Sequence, residues 1–130
     1  MRIAIAAAVA LLAAAPAAAE NWVRIGGLEE APKGIFIDAD SIVRTGDRVR
    51  FKLERRWSAP RPEGWDREVY TGTASCADRK VAVLAISFHL ADRTLMSMTY
   101  RENRAEAELA PPGSLLGLAA AHVCAAPGGG

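Results

Sequence analysis

One stretch alternates polar and apolar side chains so regularly that it constrains how the whole chain can fold. Residues 48–57 read RVRFKLERRW, with apolar side chains at positions 49, 51, 53 and 57. Charged side chains occupy positions 48, 50, 52, 54 and 56, and Arg55 is the single charged residue on the apolar side. A period of two residues predicts a β-strand with one buried face and one solvated face. The chain must therefore supply both neighbouring strands and a cover for the apolar face.

Further strand candidates recur along the chain, separated by turn signals such as TGD at residues 45–47. They are residues 21–25 (NWVRI), 34–38 (GIFID), 68–76 (EVYTGTASC), 80–90 (KVAVLAISFHL) and 95–102 (LMSMTYRE). Short strands about ten residues apart with turns between them are typical of antiparallel connections. We expect an antiparallel meander of about six strands.

The end of the chain changes to a helical pattern. A Pro-Pro-Gly break at residues 111–113 precedes Ser114, a residue type that caps helix N-termini. In the following LLGLAAAHVC, Leu116, Ala119 and Val123 recur on one helical face. Gly117 weakens this helix by about 1 kcal/mol relative to alanine, but permits close packing. We predict one C-terminal helix packed on the sheet, and thus an α+β fold.

The first 19 residues have the plan of a secretory signal peptide. One arginine precedes an apolar run, and three alanines at 17–19 form a small-residue cleavage site before Glu20. A membrane anchor is the alternative, but the run is alanine-rich and broken by Pro16. We expect cleavage and export to the periplasm or the medium, with the cell surface also possible. No later transmembrane segment is predicted.

Removing residues 1–19 leaves a length typical of one domain, assigned to residues 20–124 with a flexible tail at 125–130. The full chain has 16 basic and 15 acidic residues, and one arginine leaves with the leader. The mature chain is therefore formally neutral. Because nucleic-acid-binding proteins usually carry a basic excess, no nucleic-acid partner is expected.

Two cysteines, Cys76 and Cys124, can form only one pair. Export places them in an oxidising compartment, where disulfides persist, so we favour a structural disulfide that pins the helix to the sheet. The alternative is a catalytic thiol with His89 or His122 as its base. His122 lies two residues before Cys124, and residues at that spacing do not face each other on a helix.

Aspartates crowd the segment around Asp38 and Asp40, followed by Ser41. Alternating oxygen ligands suggest a calcium loop, which needs a glycine at its sixth position and a glutamate at its twelfth. Counted from Asp38, those positions are Val43 and Val49. We therefore interpret the segment as a turn held by side-chain-to-backbone hydrogen bonds. No metal site or cofactor is predicted.

Two neighbouring groups of residues form the candidate binding surface. The first group, which we name the Arg/Trp loop, contains Arg55, Arg56, Trp57, Arg61, Trp65 and Arg67. The second, the basic face, contains Arg48, Arg50 and Lys52. Arginine and tryptophan are enriched in interface hot spots, and a basic stripe suits an anionic partner. The alternative is that both tryptophans pack against the core between solvated arginines. No catalytic motif is present.

Several landmarks together suggest a family: Trp22, IDADSIVRTGDRV at 37–49, Trp57, YTGTASCADRK at 70–80, and APPGSLLGLAAAHVC at 110–124. This pattern resembles the surface-adhesin protein E-like family of small exported bacterial proteins. The resemblance implies an antiparallel sheet backed by a disulfide-linked helix. The family takes its name from an adhesin that binds host extracellular-matrix proteins, although most similar sequences have no established activity, and it offers no catalytic motif to carry over.

We therefore expect an exported, non-enzymatic binding protein that contacts a protein or an anionic polymer. One departure from an anchored adhesin keeps an alternative open. No lipid-accepting cysteine follows the leader, which favours a soluble periplasmic accessory or structural factor that has no external ligand.

Overall fold

The computed structural model describes residues 20–101 and 107–125. The predicted signal peptide at 1–19 and residues 126–130 of the predicted tail lie outside these residues. Ala125, predicted as the first tail residue, is instead the last residue of the helix. The strands are β1 (Trp22–Leu28), β2 (Ala31–Asp38), β3 (Val43–Thr45), β4 (Arg48–Arg56), β5 (Arg67–Ser75), β6 (Lys80–Leu90), β7 (Arg93–Thr99) and β8 (Glu108–Leu109). The helix α1 spans Leu115–Ala125, one residue further than predicted.

The sheet confirms the predicted meander. Its main path runs β1-β2-β4-β5-β6-β7, and every pairing along it is antiparallel. Two short strands lie off this path, β3 beside β4 and β8 beside β6. The two-residue β8 is too short to leave an alternating pattern, which is why the sequence did not predict it.

The alternating strand β4 organises the sheet. It pairs with β5 along its whole length, from Arg48 opposite Ser75 to Arg56 opposite Arg67. On its other side it pairs first with β3 and then with β2. Its apolar side chains Val49, Phe51 and Leu53 are buried, as the alternation predicts.

The helix covers the apolar face of the sheet. Ala119 and Val123 are buried in one cluster with residues of β2, β4, β5 and β6. Ser114 Oγ accepts a hydrogen bond from the backbone N–H of Gly117 at 3.1 Å, which confirms the predicted N-cap. The Cys76–Cys124 disulfide joins the end of α1 to the end of β5, with 5.6 Å between the two Cα atoms. The α+β fold and its single disulfide are thereby confirmed.

The aspartate-rich segment is a turn that separates β2 from β3. Asp38 Oδ1 accepts hydrogen bonds from the backbone N–H groups of Asn21, at 3.0 Å, and Asp40, at 3.1 Å. Ser41 Oγ donates to the Asp38 carbonyl and accepts from the N–H of Lys52. These bonds fix a single 3-10 turn at Ala39–Ser41 and attach it to β4.

Some strand boundaries differ from the predictions. β7 begins at Arg93 and ends at Thr99, whereas the sequence pattern predicts residues 95–102, and position 102 lies outside the described residues. The boundaries of β1 and β2 differ where glycine and proline mislead a local interpretation. β1 continues through Gly26 and Gly27, with register shifts at this point. β2 begins at Ala31 and includes Pro32, which has no partner in the register with either β1 or β4. A proline outside the paired positions removes no ladder hydrogen bond, so the strand tolerates it. Among the residues that the structure describes, no helix is both long and apolar enough to cross a membrane.

Candidate functional site

The loop that joins β4 to β5 is held by backbone hydrogen bonds. At its base, the N–H of Trp57 donates to the Asp66 carbonyl at 2.9 Å. At its tip, the N–H of Arg61 donates to the Trp65 carbonyl, and the N–H of Gly64 donates to the Arg61 carbonyl, each at 2.8 Å. Gly64 has a φ of 104°, a conformation that suits glycine. These hydrogen bonds join the two sides of the loop, so the loop is compact and does not extend away from the sheet.

Beneath this loop, the buried carboxylate of Glu68 collects hydrogen bonds from four side chains. Arg55 donates to Oε1 from Nε at 3.0 Å and from Nη2 at 2.6 Å. The Tyr70 hydroxyl donates to the same oxygen at 2.6 Å. Trp65 Nε1 donates to Oε2 at 2.8 Å, and Arg61 Nη1 lies 3.5 Å from it. Glu68 thus ties the loop to strands β4 and β5.

This arrangement shifts the pKa of two residues, Glu68 and Tyr70. Burial alone would raise the pKa of Glu68, but hydrogen bonds from Tyr70 and Arg55 and the charge of Arg55 outweigh it and lower that pKa below its usual 4.5. Burial, together with the hydrogen bond to Glu68, raises the pKa of Tyr70 well above its usual range. Glu68 is consequently ionised and Tyr70 is neutral at neutral pH.

The aromatic rings of the loop are packed. Trp57 is buried, and the guanidinium groups of Arg55 and Arg61 lie 4.8 and 4.5 Å from the centroid of its ring. Trp65 packs on Phe88 of β6, with ring centroids 4.5 Å apart and planes tilted by 52°. Flanking cations stabilise an indole ring by cation–π attraction. Arg55, Trp57 and Arg61 therefore form a stack before any partner binds, and only the edges of this stack face solvent.

The opposite face of the sheet carries a second buried carboxylate. Glu54 is fully buried on the side of β4 that the sequence pattern assigns to solvent, so this part of the prediction is wrong. Its Oε1 accepts a hydrogen bond from Arg56 Nε and lies 3.8 Å from Arg67 Nε. The Arg56 guanidinium also lies over the Phe36 ring at 3.7 Å. These contacts hold Arg56, and the charge of Glu54 offsets those of Arg56 and Arg67.

The basic face differs from the Arg/Trp loop because two of its cations have no carboxylate partner. Arg48 and Arg50 are exposed. Across the described residues, no carboxylate oxygen lies within 4.0 Å of either guanidinium. The hydroxyl residues Ser75 and Thr73 stand opposite them on β5. Lys52 is bound instead, with its Nζ 2.6 Å from Glu20 Oε1.

The structure divides the Arg/Trp loop between two carboxylates that the sequence interpretation did not single out. Arg55, Arg61 and Trp65 contact Glu68, and Arg55 and Arg61 flank the Trp57 ring. Arg56 and Arg67 lie beside Glu54 on the opposite face. Glu68 lies directly opposite Arg55 in the register of β4 and β5. A signal for this pair was available, because a charged residue on a buried face requires a buried partner. That signal was the misfit of Arg55 on the apolar side of the alternating strand.

The histidine candidates have ordinary surroundings. His89 Nε2 lies 2.8 Å from Ser87 Oγ, and Nδ1 lies 3.2 Å from Thr94 Oγ1. Burial, and then the charge of Arg67, lower the pKa of His89. His122 is exposed on α1. In residues 20–101 and 107–125, no three His, Cys, Asp or Glu side chains are grouped closely enough to hold a metal ion.

Comparison with solved structures reveals one recurrent likeness. The chain is similar to a crystal form of Haemophilus influenzae protein E, with a TM-score of 0.53 and 17% identity over 81% of this chain and 87% of that one. A selenomethionine form of Haemophilus influenzae protein E gives a TM-score of 0.55 and 16% identity over 82% and 87%. At such identity the likeness establishes the fold. No curated protein sequence matches the chain significantly.

A family model independently covers nearly all of the described chain. The model for surface-adhesin protein E matches residues 22–125, from the first strand to the last helical residue. The matched span contains the meander, the Arg/Trp loop, the basic face and both disulfide cysteines. This chain belongs to the surface-adhesin protein E family.

Proposed function

We propose that this protein is an exported, non-enzymatic, adhesin-like binding protein that contacts an anionic polymer or a protein carrying an anionic patch. Membership of the surface-adhesin protein E family supports an adhesin-like role. The observation that carries the ligand class is the exposed pair Arg48 and Arg50, which no carboxylate neutralises within the described residues. Unpaired arginines bind sulfate or carboxylate groups through two parallel hydrogen bonds.

The geometry of β4 supports an extended ligand rather than a single ion. Side chains on one face of a strand recur about every 7 Å, because two residues advance by that distance. Arg48 and Arg50 therefore form a short row, with Thr73 opposite Arg50 on β5. Ser75, opposite Arg48, donates its hydroxyl to Asp47 at 3.0 Å and is not available to the ligand. A chain with repeated negative groups can bind both arginines at once, and its affinity gains from that multivalency.

The Arg/Trp loop supplies a rigid border to this surface in our proposal. Its arginines are already held by Glu54 and Glu68, so ligand binding costs little side-chain entropy. About a quarter to a third of the side chains of Arg56, Arg61 and Arg67 remains exposed, at 28%, 28% and 33%. These exposed edges are available to a partner without breaking the internal contacts.

Binding to dextran sulfate and to uncharged dextran tests the proposal. We expect the protein to bind dextran sulfate only, with an affinity that falls as salt rises. The double variant Arg48→Ala/Arg50→Ala should lose most of this binding. A control with Lys33→Ala/Arg93→Ala removes the same charge from exposed positions on β2 and β7. Equal losses in the two double variants would show nonspecific attraction and refute the site.

A single substitution tests the loop. Arg61→Gln removes only the weakest of the contacts to Glu68, at 3.5 Å, and leaves those of Arg55, Tyr70 and Trp65. We expect weaker binding of dextran sulfate or of a protein ligand with an unchanged thermal midpoint. Full affinity in this variant restricts the binding surface to the basic face.

Protease treatment of intact cells tests where the protein acts. Digestion of the protein on intact cells supports a surface adhesin. Protection on intact cells, followed by release in osmotic-shock fluid, favours the periplasmic accessory factor instead. In that case the basic face would serve a partner within the envelope.

A further inference from the structure

The two edges of the sheet differ in their protection. At one edge, β1 is interrupted by two register shifts and packs against α1. At the other edge, all seven residues of β7 are exposed, and its one register shift lies near its start, opposite Phe88 and His89. β7 contains no proline, lysine or acidic residue. A long exposed edge offers unpaired N–H and C=O groups to another strand, and proteins usually block such edges.

Apolar side chains accompany this open backbone. Four of them, which we name the apolar edge stripe, are Met96, Met98, Tyr100 and Leu109, exposed by 48%, 37%, 46% and 70%. Met96 and Met98 stand opposite Phe88 and Ile86 of β6, so they extend one face of the sheet outward. A strand that paired with β7 would cover this stripe with its own apolar side chains.

A cavity of about 610 Å³ adjoins the stripe. Tyr100 and Leu109 lie at its lining, together with Tyr70, Ile86, Leu115 and Leu116. Three hydroxyls line it, and the third belongs to Tyr100, but those of Tyr70 and Ser114 are engaged elsewhere. Tyr70 donates to Glu68, and Ser114 donates to the Pro111 carbonyl. Its volume falls within the range of ligand pockets and readily accommodates a large apolar side chain.

One acidic side chain lies at the border of this apolar site. Glu108 lines the cavity, and its side chain has no basic partner within 4.0 Å among the described residues. A carboxylate at the border of an apolar site favours a cationic group and disfavours an anionic one. A fatty acid or another anionic amphiphile is therefore a poor fit, whereas a peptide with a basic residue is a good one.

We propose that β7 binds an extended segment of a partner polypeptide as an added strand of the sheet. The segment places a large apolar side chain in the cavity and a basic side chain near Glu108. No strand of residues 20–101 or 107–125 pairs with the outer edge of β7. This edge specifies a strand as the occupant, because another extended backbone satisfies a row of alternating donors and acceptors. The charge of Glu108 favours a basic side chain in the added strand, and β7 itself carries only Arg93, at its end. We therefore assign a different polypeptide as the occupant, and a second copy is an outcome of the test.

Fluorescence anisotropy with a defined peptide tests this site. The probe is a labelled peptide of alternating threonine and valine with a central phenylalanine and a lysine at each end. We expect it to bind the disulfide-intact protein and to protect β7 amides from hydrogen exchange. A second peptide carries N-methyl groups on successive central residues, so that neither edge of the peptide strand keeps its backbone donors. We expect this peptide not to bind.

Matched variants locate the binding. Met96→Ser/Met98→Ser should weaken binding by about tenfold, the loss that truncation of interface side chains commonly gives. Val43→Ser, at an apolar residue of β3 that is 57% exposed, should leave binding unchanged. Circular dichroism checks that both variants fold.

Three outcomes would overturn the proposal. The first is equal binding of the N-methylated peptide, which would mean that the apolar edge stripe binds apolar side chains without backbone hydrogen bonds to β7. The second is no binding of the unmethylated peptide. The third is protection of β7 amides by self-association without peptide, which would make a second copy the occupant.

Discussion

Arg55 and Glu68 face each other directly across β4 and β5, and the guanidinium donates two hydrogen bonds to one carboxylate oxygen. Both side chains lie under the connection between β4 and β5, with only 16% and 3% of their surfaces exposed. The charge that interrupts the apolar side of the alternating strand is therefore compensated by its cross-strand neighbour. The same carboxylate holds Trp65 and Tyr70, so one residue couples the loop to the sheet.

Replacing Glu68 with glutamine should strongly destabilise the protein. The change removes the buried partner of Arg55 and leaves it only the exposed Glu30, whose Oε1 lies 3.6 Å from Arg55 Nη1. Breaking a buried pair typically costs about 3–5 kcal/mol. Urea denaturation followed by circular dichroism measures the free energy of unfolding. Glu63→Gln is the matched control, since Glu63 is an exposed loop residue 3.3 Å from Arg61. It should cost less than about 1 kcal/mol, and similar losses in both variants would contradict the anchoring role of Glu68.

The effect of Glu68 should depend on pH. Because folding lowers its pKa below the usual 4.5, its stabilising contribution is complete above pH 4.5 and is lost as the pH falls through the folded value. Denaturation of the wild type and of Glu68→Gln should therefore give stabilities that converge below pH 4.5. A difference that stays constant down to the acid limit would show that Glu68 does not act through its charge.

Gly117→Ala should destabilise the protein, although alanine favours helix formation by about 1 kcal/mol over glycine. A Cβ atom at Gly117 would lie 2.0 Å from the carbonyl oxygen of Pro111, which is backbone and cannot move aside cheaply. Ala121→Gly, at an exposed position of the same helix, should cost about 1 kcal/mol from propensity alone. Thermal denaturation distinguishes the two effects. A raised midpoint for Gly117→Ala would contradict the close approach of the helix to Pro111.

Removal of the disulfide should loosen α1. The bridge closes a loop with a sequence separation of 48 residues, and such bridges typically contribute about 2–4 kcal/mol. Cys76→Ala/Cys124→Ala should lower the unfolding free energy by that amount and increase amide exchange in α1 more than in β4. Reduction of the wild type provides the matched comparison. Uniform exchange changes throughout the protein would contradict a role specific to the helix.

The meander and the helix could be predicted from the sequence because their signals are local. Alternation at residues 48–57 and the apolar run at 80–90 identify strands without knowledge of their partners. The Pro-Pro-Gly break and Ser114 mark the start of the helix in the same way. The two cysteines allowed only one pairing, which the structure confirms. The two-residue β8 carried no such pattern.

Only part of the candidate site could be predicted from the sequence. Its arginines and tryptophans stood out by composition, but the carboxylates that hold them did not. Glu54 falls on the predicted solvent side of β4, yet it is buried there beneath its contacts with Arg56 and Arg67. The sequence does not show which arginines have a carboxylate close by. Only the structure distinguishes the paired arginines from Arg48 and Arg50, which have no such partner among the described residues.

The sequence by itself determined the six long strands of the meander, the helix, the one possible cysteine pair and the resemblance to a family, because periodicity and turn residues act on neighbours in the chain. Only the tertiary structure decided that Arg55 meets Glu68, that β7 lies at the edge of the sheet formed by the described strands, and that a cavity lies beside it. The physical reason is that sheet register and strand order arise from pairing between distant segments. A one-residue change in register would bring a different set of charges together.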